Sequence, residues 1–427
     1  MTRESRYLIV ALAAAVASVL LIAGINVLVD PYLIFDQPRV LGFNALKPAV
    51  EARESMMKAY QASRANARTV LLGSSRTGIG LDPESNAWPK ETRPVYNLGL
   101  VGSSLPGNLD YFRRTFASRP RDTTPRLVIA GLDFESYLYD PRSTPSAGAQ
   151  PASVGEAQQI ARLDALRSRD ARMIPALPIL RDYAAATASL EALGESFATL
   201  LANRVGDSPD LGPSGRLSDA RLQGWTAALG TTSMFRQTNC SMVKRLRRPK
   251  HVMIASPNEP IRGLEAVDEL FEIARANQME VVLFVQPSHA WRLELLEAMG
   301  YWADYERWKR AVAERVASAI AIGTNVSLFD FGGYESYALE EVPLADARSH
   351  TLRWFWDPVH YRSDLGDEMI KTMLGGNVDF ARRVRVAPEA IDAQLSAIRD
   401  ARTRYLRGSP FVREEAARLV RDLKACG

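Results

Sequence analysis

The 427-residue sequence has few of the side chains that form covalent cross-links or metal sites. It contains two cysteines, Cys240 and Cys426, with no Cys-x-x-Cys spacing, and four histidines that occur singly. This composition excludes a structural zinc site of the usual kind, and we expect neither a bound metal nor a cofactor. The two cysteines allow one disulfide bond outside the cytoplasm or two free thiols, and the sequence leaves both open.

The sequence also lacks a strong charge excess and an internal repeat. Lys and Arg number 53 against 49 Asp and Glu, and the formal net charge of +4 is too small over this length to indicate a nucleic-acid-binding protein. The glycines of residues 73–80 do not fit Gly-x-Gly-x-x-Gly, and this segment lacks the lysine of a phosphate-binding loop. We therefore expect no nucleotide site.

Only one uncharged hydrophobic run is long, residues 7–29, and its length suffices to cross about 30 Å of hydrocarbon. A buried core helix is one alternative, although such helices rarely lack a polar face over so many turns. A cleavable signal peptide is another, since Ala15-Val16-Ala17 resembles a cleavage site. However, twelve further residues precede the first charge at Asp30, so the run favours an uncleaved transmembrane anchor.

Charges on either side of this run indicate its orientation. Arg3 and Arg6 precede it, although Glu4 and the later Lys47 and Arg53 weaken the contrast. We expect a single-pass protein of the inner (cytoplasmic) membrane, with its N-terminus in the cytoplasm and its soluble part on the periplasmic or extracellular side. The membrane is thus the first expected partner.

Five short apolar runs, each ending near Gly, Pro, Asp or Asn, predict buried parallel strands. They lie at residues 69–72, 95–98, 127–130, 281–285 and 326–331. Apolar residues at steps of three and four within 264–274 and 308–316 predict helices between strands. This alternation predicts a doubly wound α/β fold with helices on both faces of the sheet, and such sheets bind ligands at the carboxyl ends of their strands.

The predicted organisation has five parts: a cytoplasmic stub and anchor at 1–30, α/β segments at 31–139 and 261–386, a mainly helical insertion at 140–260, and C-terminal helices at 387–427. The insertion opens with a segment rich in Ser, Pro and Gly. Ser409, followed by Pro410, is expected to begin the last helix. A basic run in the insertion is either a solvated surface or a site for an anionic glycan or lipid headgroup; it comprises Lys244, Arg245, Arg247, Arg248 and Lys250.

Two motifs point to chemistry. Ser75 follows the first predicted strand in Gly73-Ser74-Ser75, where its hydroxyl would lie at the carboxyl edge of the sheet. Asp357 precedes His360 by three residues, so the carboxylate can hold one ring nitrogen while the other faces a nucleophile. Each motif alone is common in structural loops, but their order along the chain suits a serine triad.

These motifs resemble the blocks of the SGNH, or GDSL-like, hydrolase superfamily. Gly73-Ser74-Ser75 is similar to its first block, the segment from Asn97 to Gly102 to its second, Gly131-Leu132-Asp133 to its third, and Asp357-Pro358-Val359-His360 to its last. The likeness is to a membrane-anchored bacterial branch that includes alginate-type O-acetyltransferases and the D-alanine transfer protein of teichoic acid assembly. It covers residues 69–375 and implies a flavodoxin-like α/β/α sandwich.

The resemblance implies that Ser75 is the nucleophile, His360 the base and Asp357 its orienting acid. It also implies that the backbone N–H groups of Ser75 and Gly99 stabilise the oxyanion. Asp133 departs from the family, which has an Asn donor there. An ionised carboxylate cannot donate, and losing one such donor costs roughly 3 to 4 kcal/mol. Asp133 is then protonated, or another group donates, or the site binds without catalysing.

Four residues near these motifs are candidates for substrate binding: Arg76, Asn97, His289 and Trp356. His289 ends the fourth predicted strand and so should reach the same edge of the sheet. Trp356, with Trp354, is suited to stack on a sugar ring. The alternatives are a loop histidine bonded to the backbone and aromatic side chains that belong to the core.

The leading functional hypothesis is an extracytoplasmic serine esterase or O-acyltransferase, by resemblance an O-acetyl one, acting on a cell-envelope or exported polysaccharide. Its partners would be the acylated polysaccharide or acyl donor and a membrane-bound acyltransferase. One alternative is a catalytically degenerate module that binds polysaccharide or forms a scaffold in an export complex. A lipid esterase is a second alternative.

Overall fold

A computed structural model describes residues 2–142, 154–167, 177–206, 208–247, 249–256, 259–343, 351–422 and 426. The chain splits into two compact units. The first contains residues 1–65 and 148–213, and the second contains residues 66–147 and 214–427. We call them the helical unit and the α/β unit.

The strands are β1 (Thr69–Leu72), β2 (Val95–Asn97), β3 (Leu127–Leu132), β4 (Glu280–Val285), β5 (Val326–Asp330) and β6 (Arg385–Val386). The helices are α1 (Arg3–Val29), α2 (Val50–Arg64), α3 (Ser75–Gly80), α4 (Leu105–Phe112), α5 (Val154–Arg167), α6 (Leu177–Ala188), α7 (Leu190–Val205), α8 (Ala220–Leu229), α9 (Thr231–Arg247), α10 (Glu265–Asn277), α11 (Ala290–Ala298), α12 (Trp302–Ala321), α13 (Ser363–Met373), α14 (Val378–Val384), α15 (Ile391–Gly408) and α16 (Pro410–Arg421). Short 3₁₀ helices occupy Lys90–Thr92, Phe134–Tyr137, Ser336–Leu339 and Pro388–Ala390, and a π-helical turn occupies Arg113–Ala117.

Helix α1 contains the predicted hydrophobic run and is long and apolar enough to cross a membrane. Its 27 residues give a length of about 40 Å. The helix ends at Asp30, which has a left-handed conformation with φ of 48°. The buried ammonium of Lys47 donates to the carbonyls of Val29 and Asp30 at 2.9 and 2.8 Å, so that a cation occupies the negative end of the helix dipole.

The helical unit packs α6 and α7 against α1, and α2 against α5. The Tyr60 hydroxyl on α2 donates to Asp182 on α6 at 3.0 Å, and Asp182 also pairs with Arg162 on α5. Residues 31–65 therefore belong with the helical unit, whereas the sequence boundaries assigned them to the α/β part. The division also differs at residues 214–260, which were assigned to the insertion and lie in the α/β unit.

The sheet has the order β2-β1-β3-β4-β5-β6. Strands β1 to β5 are parallel, with Val70 opposite Tyr96 and Val128, while β6 is antiparallel to β5. The five predicted apolar runs form β1 to β5, and the α/β class is confirmed, with a sheet that is mixed and mostly parallel. The β2-β1-β3 order places a switch point of a doubly wound sheet beside β1.

Every residue of β1 and β3 is buried, which requires that both sheet faces are covered because successive side chains alternate between faces. Helices α4, α10 and α12 contact the strands and one another, while α14 contacts β5 and α13 contacts α3. The two predicted C-terminal helices are α15 and α16, and Pro410 is the first residue of α16.

A disulfide bond joins Cys240 on α9 to Cys426, with Cα atoms 5.4 Å apart. It ties the C-terminal end of the chain to a helix of the α/β unit. The sequence left a disulfide and two free thiols open, and the structure has the disulfide.

Candidate active site

Ser75 lies at the carboxyl end of β1 as the first residue of α3. The turn before it needs a glycine, because a Cβ at Gly73 would collide with the side chain of Thr77. Ser74 is the N-cap residue, and its hydroxyl accepts a hydrogen bond from the Arg76 N–H at 3.3 Å. The small-residue sequence therefore turns the chain sharply and leaves the Ser75 hydroxyl at the edge of the sheet.

The Ser75 hydroxyl lies 3.0 Å from Nε2 of His360. The other ring nitrogen, Nδ1, lies 2.7 Å from Oδ2 of Asp357. Both distances are within hydrogen-bonding range, so the three side chains form one connected chain of donors and acceptors. Ser75 and His360 are 285 residues apart in sequence and lie within the α/β unit.

The loop that carries His360 is held by its own backbone. Phe355 and Tyr361 form an antiparallel bridge, the Trp356 N–H donates to the His360 carbonyl at 2.9 Å, and the flanking residues 354 and 362 also pair at 2.9 Å. Oδ1 of Asp357 accepts from the N–H groups of Val359 and His360 at 2.8 and 2.9 Å. The Asp-Pro-Val-His spacing thus closes a small turn around the carboxylate and fixes the ring.

Asp357 is 2% exposed. Burial alone would raise the pKa of its carboxyl, but the charge of His360 and hydrogen bonds from His360 and Val359 outweigh it and lower the pKa to about 2. The hydroxyl of Thr238 on α9 adds a longer contact of 3.3 Å to Oδ2. Asp357 is therefore held as a carboxylate, the form that orients a general base.

Arg76 and Asp133 form a buried ion pair next to Ser75. The Arg76 guanidinium donates to Asp133 at 2.7 Å, to the hydroxyl of Ser288 at 2.7 Å and to the carbonyls of Pro287 and Val359. Burial raises the pKa of the Asp133 carboxyl, while the Arg76 cation opposes this rise. Arg76, proposed as a substrate-binding residue, has its donors engaged within the protein, and Asp133 accepts rather than donates.

Two further arginines continue this charged group. Glu135 lies 3.9 Å from Arg76 and 3.9 Å from Arg292. Burial opposes ionisation of Glu135, but Arg76 and Arg292 outweigh it and lower the pKa of its carboxyl. Arg292 is buried, and burial lowers its pKa to about 10. Arg245 is exposed and also lowers the pKa of Glu135.

Ser75 and His360 open into a pocket of about 240 Å³. Its wall combines three arginines, two carboxylates, three further small polar residues and backbone; the lining residues are Ser74, Ser75, Arg76, Gly102, Ser103, Asp133, Glu135, Ser136, Arg245, Arg292, Val359 and His360. The formal charge of three arginines against two carboxylates is +1, before His360 is counted. The charged and hydroxyl side chains of this wall suit a hydrophilic substrate better than a fatty acyl chain.

Gly99 does not have the predicted orientation. Its N–H donates to Oδ1 of Asn97 at 2.9 Å, and Gly99 lies outside the described lining of the pocket. Asn97 is fully buried and donates to the carbonyls of Thr77 and Leu81 at 2.9 and 2.8 Å. The second block thus supports α3 through hydrogen bonds of the buried Asn97 side chain. The roles predicted for Gly99 in the oxyanion hole and for Asn97 in substrate binding are not supported.

His289 and Trp356 are also placed differently from the prediction. His289 is fully buried, lies 2.7 Å from the Glu340 carbonyl through Nε2, and accepts the Trp291 N–H through Nδ1. Its own N–H donates to Pro358, which supports the loop of the triad. Trp356 is 4% exposed with the Arg362 guanidinium over its ring. Both belong to the core around the loop and cannot contact a substrate in this conformation.

Three described residues of the basic run have two different environments. Lys244 donates to the Cys426 carbonyl at 2.9 Å, and Arg247 donates to the Val420 carbonyl, so both hold the C-terminal segment. Arg245 lines the pocket. Arg248 lies outside the described residues. The basic run therefore does not form a uniform basic surface.

Sequence reasoning did not find Thr238 or Arg292, because no motif marks them and their proximity depends on how α9 and α11 pack. It included Gly102 in the second block without a role at the pocket, and it did not single out Ser103. Within the described ranges, no group of three His, Cys, Asp or Glu side chains is arranged to hold a metal ion. No family model, no curated protein and no solved structure matches this chain.

Proposed function

We propose that this protein is a membrane-anchored serine esterase or O-acyltransferase that acts on a hydrophilic acyl ester. The observation that carries the proposal is the connected Ser75, His360 and Asp357 chain, with distances of 3.0 and 2.7 Å. The two motifs, 285 residues apart in sequence, meet at hydrogen-bonding distance in the order that a nucleophile, a base and an orienting acid require. A serine whose hydroxyl proton is taken by a neighbouring histidine becomes nucleophilic enough to attack an ester carbonyl.

In the proposed reaction the Ser75 oxygen bonds to the carbonyl carbon while His360 takes the hydroxyl proton. The tetrahedral intermediate collapses, the ester C–O bond breaks, and His360 returns the proton to the leaving alcohol. Water or a second hydroxyl then attacks the acyl-enzyme while His360 takes its proton. The bond from the acyl carbon to Ser75 breaks, His360 returns the proton to the Ser75 oxygen, and the acid or the new ester leaves. Hydrolysis and transfer share the first half, and they differ in the acceptor that enters the pocket.

The oxyanion needs donors other than Gly99 and Asp133. Ser75 begins α3, so its N–H belongs to the first turn, where backbone donors have no intrahelical partner. Gly102 lines the pocket with φ of 68°, and its backbone N–H is the second donor that we propose for the oxyanion. Arg76 neutralises the charge of Asp133, which reduces its repulsion of an oxyanion.

The fold and the anchor support a narrower version of this proposal. Strands β2-β1-β3-β4-β5 follow the flavodoxin-type order, as expected for an SGNH-like α/β/α sandwich. An anchor formed by α1 and an external α/β unit suit a cell-envelope or exported polysaccharide as substrate. By the same resemblance, an O-acetyl group is the expected acyl group, and a membrane-bound acyltransferase is the expected partner.

A fluorophosphonate probe tests the nucleophile directly, because it reacts covalently with activated serines. Full-length protein in detergent should be labelled, and Ser75→Ala should abolish labelling. Ser241→Ala is the matched control, since Ser241 is exposed on α9 and bonds only to its own helix in the described chain. If folded wild type stays unlabelled, or Ser75→Ala labels equally, the proposal fails.

A catalytically degenerate polysaccharide-binding or scaffold module is the second candidate. The engaged Gly99 N–H and the Asp133 carboxylate favour it, because both remove oxyanion donors expected of the family. Acetate release from acetylated polysaccharide, compared with fatty acid release from phospholipid, separates the three alternatives. Acetate release supports the esterase or transferase, and fatty acid release supports a lipid esterase. If neither product is released, the binding module is supported.

A further inference from the structure

Helix α7 has its polar and apolar faces exchanged relative to a helix that is packed in water. Its buried positions are Ala192, Ser196, Thr199 and Asn203, each at most 8% exposed. Four of its large apolar side chains face outward, Leu190, Phe197, Leu201 and Val205, which are 72%, 56%, 64% and 69% exposed, whereas Leu193 and Leu200 are half-buried. The spacing of these four residues puts them on one side of the helix, which we call the α7 apolar face.

The buried polar side of α7 is bonded within the helical unit. Ser196 donates to Oδ1 of Asn26 on α1 at 2.9 Å, and the Asn26 amide donates to the carbonyls of Thr187 and Ser189 at 3.0 and 3.3 Å. The inner face of α7 is thus small and polar, like helix interfaces within membranes, where small residues and hydrogen bonds hold helices together.

These contacts fix where α7 lies along α1. Asn26 is three residues before the end of α1, and α1 from Arg3 to Leu21 is exposed among the described residues, whereas Asn26 and Val29 are buried. An exposed helix of this length and composition spans the hydrocarbon, so its last turns, which α6 and α7 contact, reach the opposite membrane surface. The α7 apolar face begins at that level.

A second exposed apolar element is bound to α7. The turn at residues 40–43 exposes Val40, Leu41 and Phe43, and Leu41 is 90% exposed. Asn203 exchanges two hydrogen bonds with the backbone of Leu46, at 2.9 and 3.0 Å, just after this turn. The segment that follows the turn is therefore bonded to the inner side of α7 within the helical unit.

We propose that the α7 apolar face rests on the lipid bilayer, as an interfacial helix beside the anchor. Lipid is the occupant because α7 packs against α1, the candidate membrane-spanning helix, and because large apolar side chains lie on its exposed side. Arg204 shares this face in the last turn, where its long side chain can reach a lipid phosphate. The proposal rests on α1 being an anchor and is independent of the acyl chemistry.

Fluorescence quenching on full-length protein in phosphatidylcholine vesicles tests this surface. Phe197→Cys and Leu201→Cys are labelled with bimane maleimide, which leaves the Cys240–Cys426 disulfide unlabelled. Val16→Cys reports the middle of α1, and Arg382→Cys, whose native side chain is 76% exposed, is the aqueous control. The quenchers are iodide on both sides of the vesicle, and phosphatidylcholine with a nitroxide near the head or near the end of the acyl chain.

Labels at residues 197 and 201 should lose fluorescence to the nitroxide near the head of the chain and resist iodide. The label at residue 16 should be quenched best by the nitroxide near the chain end. If residues 197 and 201 are quenched by iodide, or are shielded from both quenchers by protein, the lipid surface is wrong while the anchor stands. If the label at residue 16 is not quenched by lipid either, α1 is not a membrane anchor, and the proposed contact of the α7 apolar face with lipid is also wrong.

Discussion

The guanidinium of Arg76 donates to the carboxylate of Asp133 at 2.7 Å, one residue along α3 from Ser75. An asparagine amide was expected at position 133 from the resemblance, and the aspartate is instead one half of a buried ion pair. The formal charges of the two side chains cancel, so the carboxylate at position 133 is accompanied by a basic partner from α3.

A double-mutant cycle measures this pair. Arg76→Met and Asp133→Asn should each destabilise the protein by about 3 kcal/mol, because each leaves a buried charge without its closest partner. The double variant should be destabilised by about 2 kcal/mol less than the sum of the two single variants. The coupling is smaller than the effect of either single variant because Arg76 also interacts with Glu135. Urea unfolding of detergent-solubilised protein gives the free energies, and simple additivity would show that the residues are not coupled.

Asp357 should control the rate at which Ser75 reacts. Asp357→Asn keeps the shape of the loop but removes the charge that holds His360, so we expect fluorophosphonate labelling to slow by about 10⁴-fold. Thr238→Val loses only a 3.3 Å contact and should slow labelling about fivefold, equivalent to roughly 1 kcal/mol. Near-ultraviolet circular dichroism checks the fold. Equal rates for wild type and Asp357→Asn would exclude the triad.

His289 predicts a loss of stability in acid. Burial lowers its pKa from 6.5 to about 4, so between these pH values the unfolded chain binds a proton that the folded chain does not. Unfolding becomes more favourable as the pH falls through this window, by up to about 3 kcal/mol. Urea midpoints at pH 7 and pH about 4.5 measure the loss.

The variant His289→Gln should be less stable than wild type at pH 7, because two hydrogen bonds change, yet lose less on acidification. His251→Gln is the matched control, since His251 is only half-buried, and it should keep the full loss of the wild type. A His289→Gln protein with an unchanged acid slope would exclude this histidine as the source.

The disulfide predicts three variants of equal stability. Cys240→Ser, Cys426→Ser and the double variant all open the same loop of 186 residues, which in a chain-entropy model stabilises by about 5 kcal/mol. Each should match reduced wild type in urea unfolding. Because α9 also carries Thr238, labelling of Ser75 should slow as well. Two maleimide-reactive thiols in denatured, unreduced wild type would contradict the bond.

The strands could be predicted because buried parallel strands are uninterrupted apolar runs that end in turn residues. Strand β6 could not be predicted, because its two residues, Arg385 and Val386, are too few to show a periodicity. Its pairing with β5 depends on the position of the preceding helix α14. The placement of residues 31–65 was missed for a related reason. The partners of α2 lie about a hundred residues later in the chain, and the amphipathic pattern of a helix does not identify its partner.

Within the site, the residues joined by short-range geometry were predictable. The Asp-Pro-Val-His turn and the Gly-Ser-Ser turn each fix their own side chains locally. The sequence predicted substrate contacts for His289, Asn97 and Trp356 because they lie close in sequence to the predicted strand ends or to the triad motifs. Whether such a residue contacts substrate or supports a loop depends on its burial. That decision requires tertiary packing, as does the approach of Thr238 from α9.

The separation of 285 residues between Ser75 and His360 has a consequence for how the protein is made. At ordinary translation rates the Ser75 segment leaves the ribosome roughly 15 to 60 s before His360. Throughout that interval the Ser75 hydroxyl lacks the His360 ring nitrogen to which it is bonded in the folded chain. Under the proposed function, a prematurely terminated product that ends before residue 360 would therefore not react with the fluorophosphonate probe.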